Sequence, residues 1–391
     1  MENLKKLTID KSNWTPAKFG DVVFEPKESV KNVVSAGIEH VVGLEHIDPE
    51  SVHLRRSAGI EESTTFTKKF SIGDVLFGRR RAYLKKAAQA TFEGICSGDI
   101  TVMRAKENLL PELLPFVVQN DKFFDYAIKH SAGGLSPRVK FKDLANYEFL
   151  LPPKDQQAQL AKLLWSMDKV IESELEVLEK LVATYISKIE KDLLNKKYEK
   201  TFLNSLGIVV RGVGYKPKDL LDKYNNNTCI ILRSNNISDA KINYYDIKIL
   251  SKDKVKDIQY LIDNDFAICM SNGSKELVGK SARFWHKEKN VSIGSFCAAF
   301  RANSKISAEL LEHIFASDSY RQGIKRILSG SAINNLKPSD IESLYFRVIT
   351  NKTELRNILN ELRYIIDNRH FIETKINSSK SLQKSLINEV F

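Results

Sequence analysis

The sequence has few cysteines, and none of them stands at a metal-binding spacing. The four cysteines are Cys96, Cys229, Cys269 and Cys297, and no two of them form a Cys-x-x-Cys pair. Thiols this far apart exclude a zinc ribbon and a dense disulfide framework, and they are typical of buried, reduced cysteines in a cytosolic protein. No apolar run approaches the ~18 residues of a membrane-spanning helix, and residues 1–6 are polar. We therefore expect a soluble, cytoplasmic chain without a membrane partner.

The short motifs that carry common enzyme chemistry are also missing. The seven histidines are scattered, and the neighbours His40 and His46 have neither a Cys partner nor the His-Glu-x-x-His spacing of a metalloprotease. There is no Gly-x-Ser-x-Gly elbow, no Gly-x-Gly-x-x-Gly loop after a strand, and no Asn-Pro-Pro-aromatic segment that could hold a base for methylation. The sequence predicts no catalytic residue and no metal site in this chain.

One segment, from Gly273 to Ser281, resembles a phosphate-binding P-loop. A P-loop has four residues between its first glycine and the Gly-Lys-Ser triplet, because its backbone N–H groups must wrap one phosphate. Here five residues separate them, and no alternation of strands and helices surrounds the segment. An ATP-dependent or nuclease enzyme therefore stays an alternative and not the leading interpretation.

The charge of the chain points to a polyanion as the partner. Lys and Arg total 60 against 49 Asp and Glu, which gives a net charge of +11 and a pI near 9.2. A basic protein of this kind binds nucleic acid more readily than a cationic substrate. Its 391 residues suffice for two domains of the usual ~100–200 residues each.

The sequence contains a long internal repeat. Gly133 stands ten positions before the Asp143-Leu144 pair, and Gly330, in the segment Leu328 to Ser331, stands ten positions before Asp340-Ile341. The offset between the two copies is 197 positions, and Arg104 and Arg301 keep it too. A period this long indicates repeated domains and not solenoid units, whose periods are about 20–50 residues.

Each copy reads as strands followed by helices. Short β-branched and aromatic segments bounded by turn residues predict strands in both copies, and helical spacing then predicts helices over 109–130 and 308–328. Residues 152–195 and 353–389 each carry a single apolar stripe of a long helix. We predict an α+β fold with two domains in an internal repeat, separated by two long, antiparallel coiled-coil helices. The alternatives are that each helix packs on its own domain or on a partner.

The predicted boundaries follow this change of pattern. They are residues 1–151 for the first domain, 152–198 for the first helical spacer, 199–350 for the second domain and 351–391 for the second spacer.

Two polar loops at matching places in the repeat are the candidate binding sites. Each follows a predicted strand and offers guanidinium, ammonium, hydroxyl or amide groups. Arg reads guanine through two hydrogen bonds, Asn reads adenine, and Lys or Ser holds phosphate. The alternative is a solvated run of charge. The candidate DNA-binding residues are Arg79, Arg80, Arg81, Tyr83, Lys85 and Lys86 in the first copy, and Asn272, Ser274, Lys275, Lys280 and Arg283 in the second.

Four segments in the first half carry a family resemblance. They are Gly73 to Tyr83, Phe92 to Asp99, Gly133 to Arg138 with Lys142 to Leu144, and Leu150 to Gln157, which contains a double proline. In these segments the chain resembles the specificity subunit of a type I restriction-modification system. That family alternates two target-recognition domains with two helical regions. The second copy departs from it, because Val348 to Glu354 replaces the double-proline entry into the helix.

The resemblance implies a non-catalytic subunit that reads a bipartite target in double-stranded DNA. It implies docking of methyltransferase (modification) subunits, expected in two copies, and of restriction and translocase subunits. No cofactor is expected on this chain, since S-adenosylmethionine, ATP and Mg²⁺ belong to those partners. The remaining alternatives are the enzyme considered above and a structural coiled-coil adaptor.

Overall fold

The computed structural model describes residues 9–30, 36–62, 65–285, 290–330 and 333–391. The polar residues 1–6 and Ser331 of the repeat lie outside these ranges. Within them, no helix is both long and apolar enough to cross a membrane.

The chain folds into two compact units, and each takes part of both long helices. Unit 1 comprises Met1–Glu176 with Glu373–Phe391, and unit 2 comprises Val177–Ile372. The four segments drawn from the sequence follow changes of pattern, whereas the units follow contacts. Each unit therefore contains one domain of the repeat and a segment of each long helix.

Unit 1 is a mixed domain of short strands and helices. Its strands are β1 (Thr15–Lys18), β2 (Val23–Phe24), β3 (Val41–Val42), β4 (Lys68–Phe70), β5 (Val75–Gly78), β6 (Ala87–Gln89), β7 (Gly94–Cys96), β8 (Ile100–Ala105) and β9 (Glu148–Leu151). Its helices are α1 (Phe19–Val22), α2 (Leu114–Val118), α3 (Asp121–Lys129), α4 (Phe141–Leu144) and the start of α5 (Lys154–Lys188), which ends in a π-helical turn, Ile189–Leu193.

Unit 2 follows a similar order of elements but has two more strands than unit 1. Its strands are β10 (Lys200–Phe202), β11 (Gly207–Arg211), β12 (Thr228–Leu232), β13 (Ile237–Ser238), β14 (Lys241–Ile242), β15 (Lys248–Ser251), β16 (Asp265–Cys269), β17 (Ser281–Arg283), β18 (Val291–Ile293), β19 (Cys297–Ala302) and β20 (Tyr345–Arg347). Its helices are α6 (Lys305–Ala316), α7 (Asp318–Ser329), α8 (Pro338–Glu342) and the start of α9 (Lys352–Val390).

The sheets confirm the repeat. The order β2-β8-β5-β6 in unit 1 recurs as β11-β19-β16-β17 in unit 2. The parallel pair β3-β7 recurs as β12-β18, and β1-β9 recurs as β10-β20. The three-stranded sheets differ in their third strand. In unit 1 β4 pairs with β7, whereas in unit 2 β15 pairs with β12. The two domains therefore share a central sheet and differ at its flank.

One ion pair between neighbouring strands recurs in both central sheets. Asp74 accepts hydrogen bonds from Arg104 Nε at 2.6 Å and Nη2 at 2.8 Å, and Asp265 accepts them from Arg301 Nε at 3.0 Å and Nη2 at 2.8 Å. Both carboxylates are buried. A buried charge is tolerated only when it is paired and hydrogen-bonded, so the constant offset of the two arginines has a structural cause.

The two long helices run antiparallel in unit 1. Gln383 Nε2 donates to the Leu164 carbonyl at 3.3 Å, and Lys375 Nζ lies 3.3 Å from a Glu174 carboxylate oxygen. Moving along α5 from Leu164 to Glu174 therefore corresponds to moving backwards along α9 from Gln383 to Lys375. In unit 2 Lys188 pairs with Glu361, which fits the same direction. The predicted fold class, including the antiparallel helices, is confirmed.

The helix segments also pack on their domains, as the alternative interpretation proposed. The hydrophobic core of unit 1 includes Leu164 and Ala161 of α5, Val390 of α9, and Phe391, which follows α9. Lys11 Nζ donates to the Val390 carbonyl at 2.9 Å, which satisfies a carbonyl at the end of α9.

A polar cluster fixes the end of α9 to the start of α3. Asp121 accepts hydrogen bonds from Lys384 at 2.8 Å, Lys85 at 2.7 Å and Asn388 at 2.6 Å. Burial by itself raises the pKa of Asp121, but these hydrogen bonds outweigh it and hold that pKa below its ordinary value.

The entry into α9 replaces the double proline with a side-chain cap. The Asn351 side-chain oxygen accepts hydrogen bonds from the N–H groups of Thr353 at 3.0 Å and Glu354 at 3.1 Å. Asparagine is a favoured residue for this role.

Candidate nucleic-acid interface

The basic loop of unit 1 leaves the central sheet at the end of β5. Val75 to Gly78 are buried, and the chain then reaches the surface at Arg79 and Arg80. Arg81 and Lys85 adopt left-handed conformations, with φ of 55° and 48°, on either side of a short turn at Ala82–Leu84. Such conformations cost of order 1–3 kcal/mol each and persist only where the surroundings fix them.

A second loop, residues 133–138, fixes the basic loop. We call it the glycine loop, because it contains Gly133 of the repeat. The Arg81 N–H donates to the Pro137 carbonyl at 2.8 Å, and Arg80 forms an antiparallel bridge with Arg138. Gly133 permits the tight return of this second loop, since its φ of 114° lies where a side chain is strained. Two segments that the sequence identified separately thus form one surface.

A shared carboxylate orients the arginines of this surface. Asp99 accepts hydrogen bonds from Arg138 Nε at 2.7 Å and Arg80 Nη1 at 3.2 Å. The Arg138 hydrogen bond, followed by the contribution of Arg80, holds the pKa of Asp99 below its usual range, although burial opposes it. Arg80 Nη2 also donates to Ser136 Oγ at 3.1 Å, so its guanidinium group is held on two sides.

The six candidates of unit 1 therefore differ in availability. Arg81 is exposed, with one long hydrogen bond of 3.4 Å to Ser136, and the ring of Tyr83 is 52% exposed. The ammonium groups of Lys85 and Lys86 are engaged inside the unit. Lys85 bonds Asp121, and Lys86 donates to the Leu44 carbonyl at 2.7 Å.

Arg79 lies at the base of the loop, where its backbone forms two hydrogen bonds. Its N–H donates to the Asp99 carbonyl at 3.0 Å, and its carbonyl accepts from the Val139 N–H at 3.0 Å. Its side chain is half-buried, and its Nε has no hydrogen-bond partner in the part of the chain that the structure describes.

Unit 2 joins its two loops at repeat-related positions. Ser271 forms an antiparallel bridge with Asn335, and the Asn334 side-chain amide donates to the Gly273 carbonyl at 3.1 Å. Asn335 stands 197 positions after Arg138, so this bridge matches the bridge of unit 1. Both units therefore build their candidate surface in the same way.

The second loop offers different chemistry. Ser274 and Lys275 are exposed. The Asn272 side chain is used within the loop, because it donates to Ser234 Oγ at 3.2 Å and accepts from the Ser274 N–H at 2.9 Å. Lys280 is half-buried next to β17, where its carbonyl accepts from the Cys269 N–H at 2.9 Å.

Arg283, predicted to bind DNA, is held inside unit 2. Only 4% of its side chain is exposed, and its guanidinium group contacts Glu312 and Asn264. The same group lies 4.2 Å from the centre of the Trp285 ring. A guanidinium group bonded in this way supports the domain, and reaching DNA would require breaking a buried ion pair.

The P-loop resemblance is not matched by the local structure. After Gly279-Lys280 the chain enters strand β17 and not a helix. A P-loop needs a helix amino terminus there to direct N–H groups at phosphate.

Sequence reasoning missed the partners supplied by the glycine loops. In unit 1 these partners are Ser136 and Arg138. Leu135 of the same loop is 97% exposed. In unit 2 the partners include Asn334. The signal was present in the sequence as the repeated glycine loop, but nothing in it indicated that this loop contacts the basic one.

Comparison with known proteins relates the first half of the chain to one family. Residues 7–183 match the family described as Type I restriction modification DNA specificity domain. The StySPI specificity subunit of Salmonella potsdam is 34% identical over 142 residues, and the EcoKI specificity subunit of Escherichia coli K12 is 32% identical over 140. Each match covers 36% of this chain but only 30% of the relative, so the alignment spans less than a third of the length of these curated relatives.

Solved structures resemble the chain over nearly its full length. A chain from a structure of a type I R-M system, described by its complex assembly and conformational transition, has a TM-score of 0.57 at 16% identity and covers 96% of this chain and 97% of that one. The type I S subunit from M. genitalium has a TM-score of 0.53 at 12% identity, covering 99% and 98%. At such identities the likeness establishes the fold.

Proposed function

We propose that this chain is a type I restriction-modification specificity subunit, a non-catalytic protein that reads a bipartite target in double-stranded DNA, because residues 7–183 match the DNA specificity domain of that family. The observation that supports the proposal most is the coupling of a polar loop to a glycine loop at repeat-related positions in both units. Each unit reads one half-site through this pair of loops.

Within unit 1, Arg81 and Tyr83 are the residues proposed to contact DNA. Arg81 is exposed and placed by its fixed backbone, so its guanidinium group is free to meet a guanine edge through two hydrogen bonds. The Tyr83 ring offers an amphipathic contact to sugar or base. Leu135 at the tip of the glycine loop provides an apolar contact for a thymine methyl group.

Within unit 2, Ser274 and Lys275 take the corresponding role. Both hold phosphate, which sets register, while Asn272 positions the loop from inside. The different chemistry of the two loops is the reason we propose unlike half-sites.

The reactions belong to partner subunits under this proposal. The helices dock two modification subunits that use S-adenosylmethionine, and restriction subunits that translocate and cut DNA with ATP and Mg²⁺. The assembly acts in the cytoplasm. An ATP-hydrolysing enzyme is disfavoured by the strand that follows Lys280.

The test is the methylated motif of cells that carry variants together with the modification subunit. Arg81→Ala should weaken or relax one half-site and leave the other unchanged, with a cost of about 1–3 kcal/mol for a lost bidentate contact. Lys275→Ala removes a proposed phosphate contact, so it should lower methylation of the whole target and leave both half-site sequences unchanged. Arg56→Ala is the matched control, since Arg56 is an exposed arginine of unit 1 outside both loops.

Affinity measured at several salt concentrations separates the contact types. Loss of a phosphate contact at Lys275 should flatten the dependence of log K on log salt by about 0.9. Equal loss at both half-sites with Arg81→Ala, or binding that does not depend on salt, would contradict the proposal.

A further inference from the structure

Three side chains of types that bind metal ions meet in unit 1. His53, Asp168 and Glu172 each place one ligand atom within 4.8 Å of the others. His53 comes from the segment before β4, and the two acids stand four positions apart on α5, which puts them on one face of the helix. The sequence predicted no metal site because His53 lies 115 or more positions before the two acids and the three residues match no short motif.

The cluster lines a cleft that can admit an ion. The cleft has a volume of about 560 Å³ and is bounded by residues 48–55, α5 and the last turns of α9. Asp168 is nearly buried, with 8% of its side chain exposed, while His53 and Glu172 are 23% and 37% exposed. The Trp165 ring lies edge-on to the His53 ring, with centroids 5.9 Å apart, and limits its rotation.

The distances between ligand atoms are close to those around a bound ion. His53 Nε2 lies 2.7 Å from Asp168 Oδ2 and 3.8 Å from Glu172 Oε1. Ligands about 2.0–2.2 Å from a tetrahedral Zn²⁺ stand roughly 3.4 Å from one another. Shifts of well under 1 Å would therefore bring both distances to that value.

We propose that His53, Asp168 and Glu172 form a binding site for a divalent transition-metal ion, with Zn²⁺ as the representative ion. Imidazole favours such ions over Mg²⁺, which prefers an all-oxygen octahedral shell. Three protein ligands leave a fourth position for water. The bound ion fixes the segment around His53 to α5.

Arg55 competes with the ion for Glu172. Its guanidinium group contacts the Glu172 carboxylate, and Arg55 Nη1 also donates to Ser51 Oγ at 2.8 Å. Both partners of this ion pair are more than a third exposed, so the pair is weak and can be displaced. Removing Arg55 therefore frees a ligand, whereas removing Glu172 deletes one.

Calorimetric titration of the full chain with ZnCl₂ tests the site, with MgCl₂ as the comparison. We expect a single zinc site per chain and no binding of Mg²⁺ there. His53→Gln and Glu172→Gln should each weaken zinc binding by more than the roughly 10–100-fold that loss of an outer-shell partner costs. Arg55→Met should strengthen it severalfold. His130→Gln removes an exposed histidine of the same unit and should change nothing.

The opposite responses of two variants separate a metal site from a plain ion-pair network. Glu172→Gln and Arg55→Met break the same ion pair, so a network predicts similar small losses of stability and no difference in zinc affinity. Equal zinc affinity in the two variants, or zinc binding that persists unchanged in His53→Gln, would overturn the proposal. Hydrogen exchange of both variants checks that unit 1 stays folded.

Discussion

Replacing Asp74 with Asn tests whether the repeated ion pair holds the central sheet of unit 1. The Asp74 carboxylate accepts three hydrogen bonds, two from Arg104 and one from the Ser71 N–H at 2.8 Å. An amide of the same shape must turn its NH₂ group toward one of these donors. The substitution therefore leaves a buried donor facing another donor and removes the charge that pairs with Arg104.

The expected cost follows from how much of the pair is buried. Removing one partner of a fully buried pair costs about 3–5 kcal/mol. The Arg104 side chain is 32% exposed and keeps its ion pair with Glu28 at 2.9 Å. We therefore expect Asp74→Asn to lower the free energy of unfolding by about 2–3 kcal/mol. With a urea slope of about 2–3 kcal/mol per molar, the midpoint should fall by about 1 M.

Urea denaturation combined with hydrogen exchange of peptides from β5 and β8 is the assay. Glu28→Gln is the matched control, because it removes the exposed partner of the same arginine and should cost less than about 1 kcal/mol. Indistinguishable midpoints for these two variants would refute the reasoning. In unit 2, Asp265→Asn should cost less, because Arg301 keeps the Tyr260 carbonyl at 2.7 Å. Burial also raises the pKa of Asp265, so its charge is already costly there.

Other predictions concern titratable groups. The lowered pKa of Asp121 contributes stability above pH about 4, and this contribution is lost as the pH falls toward the pKa of the folded state. Asp121→Asn should therefore destabilise the chain at pH 7, and the difference in stability between variant and parent should shrink as the pH is lowered. Burial lowers the pKa of His313 to about 4, so unfolding should become easier as pH falls from about 6.5 toward 4, and His313→Gln should flatten that slope in a melting series. Burial raises the pKa of Cys96 and Cys229 to about 12, so a thiol reagent at pH 8 should label them only after urea is added.

Much of the fold could be predicted because local patterns carry it. Strand and helix periods and the two apolar stripes depend on residues close together in the sequence, and the offset of 197 positions can be counted along it. Both copies agreed on the predicted elements. The breaks inside the predicted helices were missed. Asn120 accepts from the Lys122 N–H at 2.7 Å and Ser317 from the Tyr320 N–H at 3.0 Å, and each starts a new helix at the same point of the repeat. The signal was present, since both residues are favoured helix caps.

The sequence alone determined the repeat, the fold class and the approximate places of the two polar loops, since these depend on residue type and spacing along the chain. Only the tertiary structure decided which side chains of those loops remain available. Arg283 and Arg81 carry the same charge, yet one is bonded inside its domain and the other lies at the surface. Likewise, His53 meets Asp168 only when a loop packs on a helix. Burial and partners arise from contacts between distant segments, and residue spacing carries no record of them.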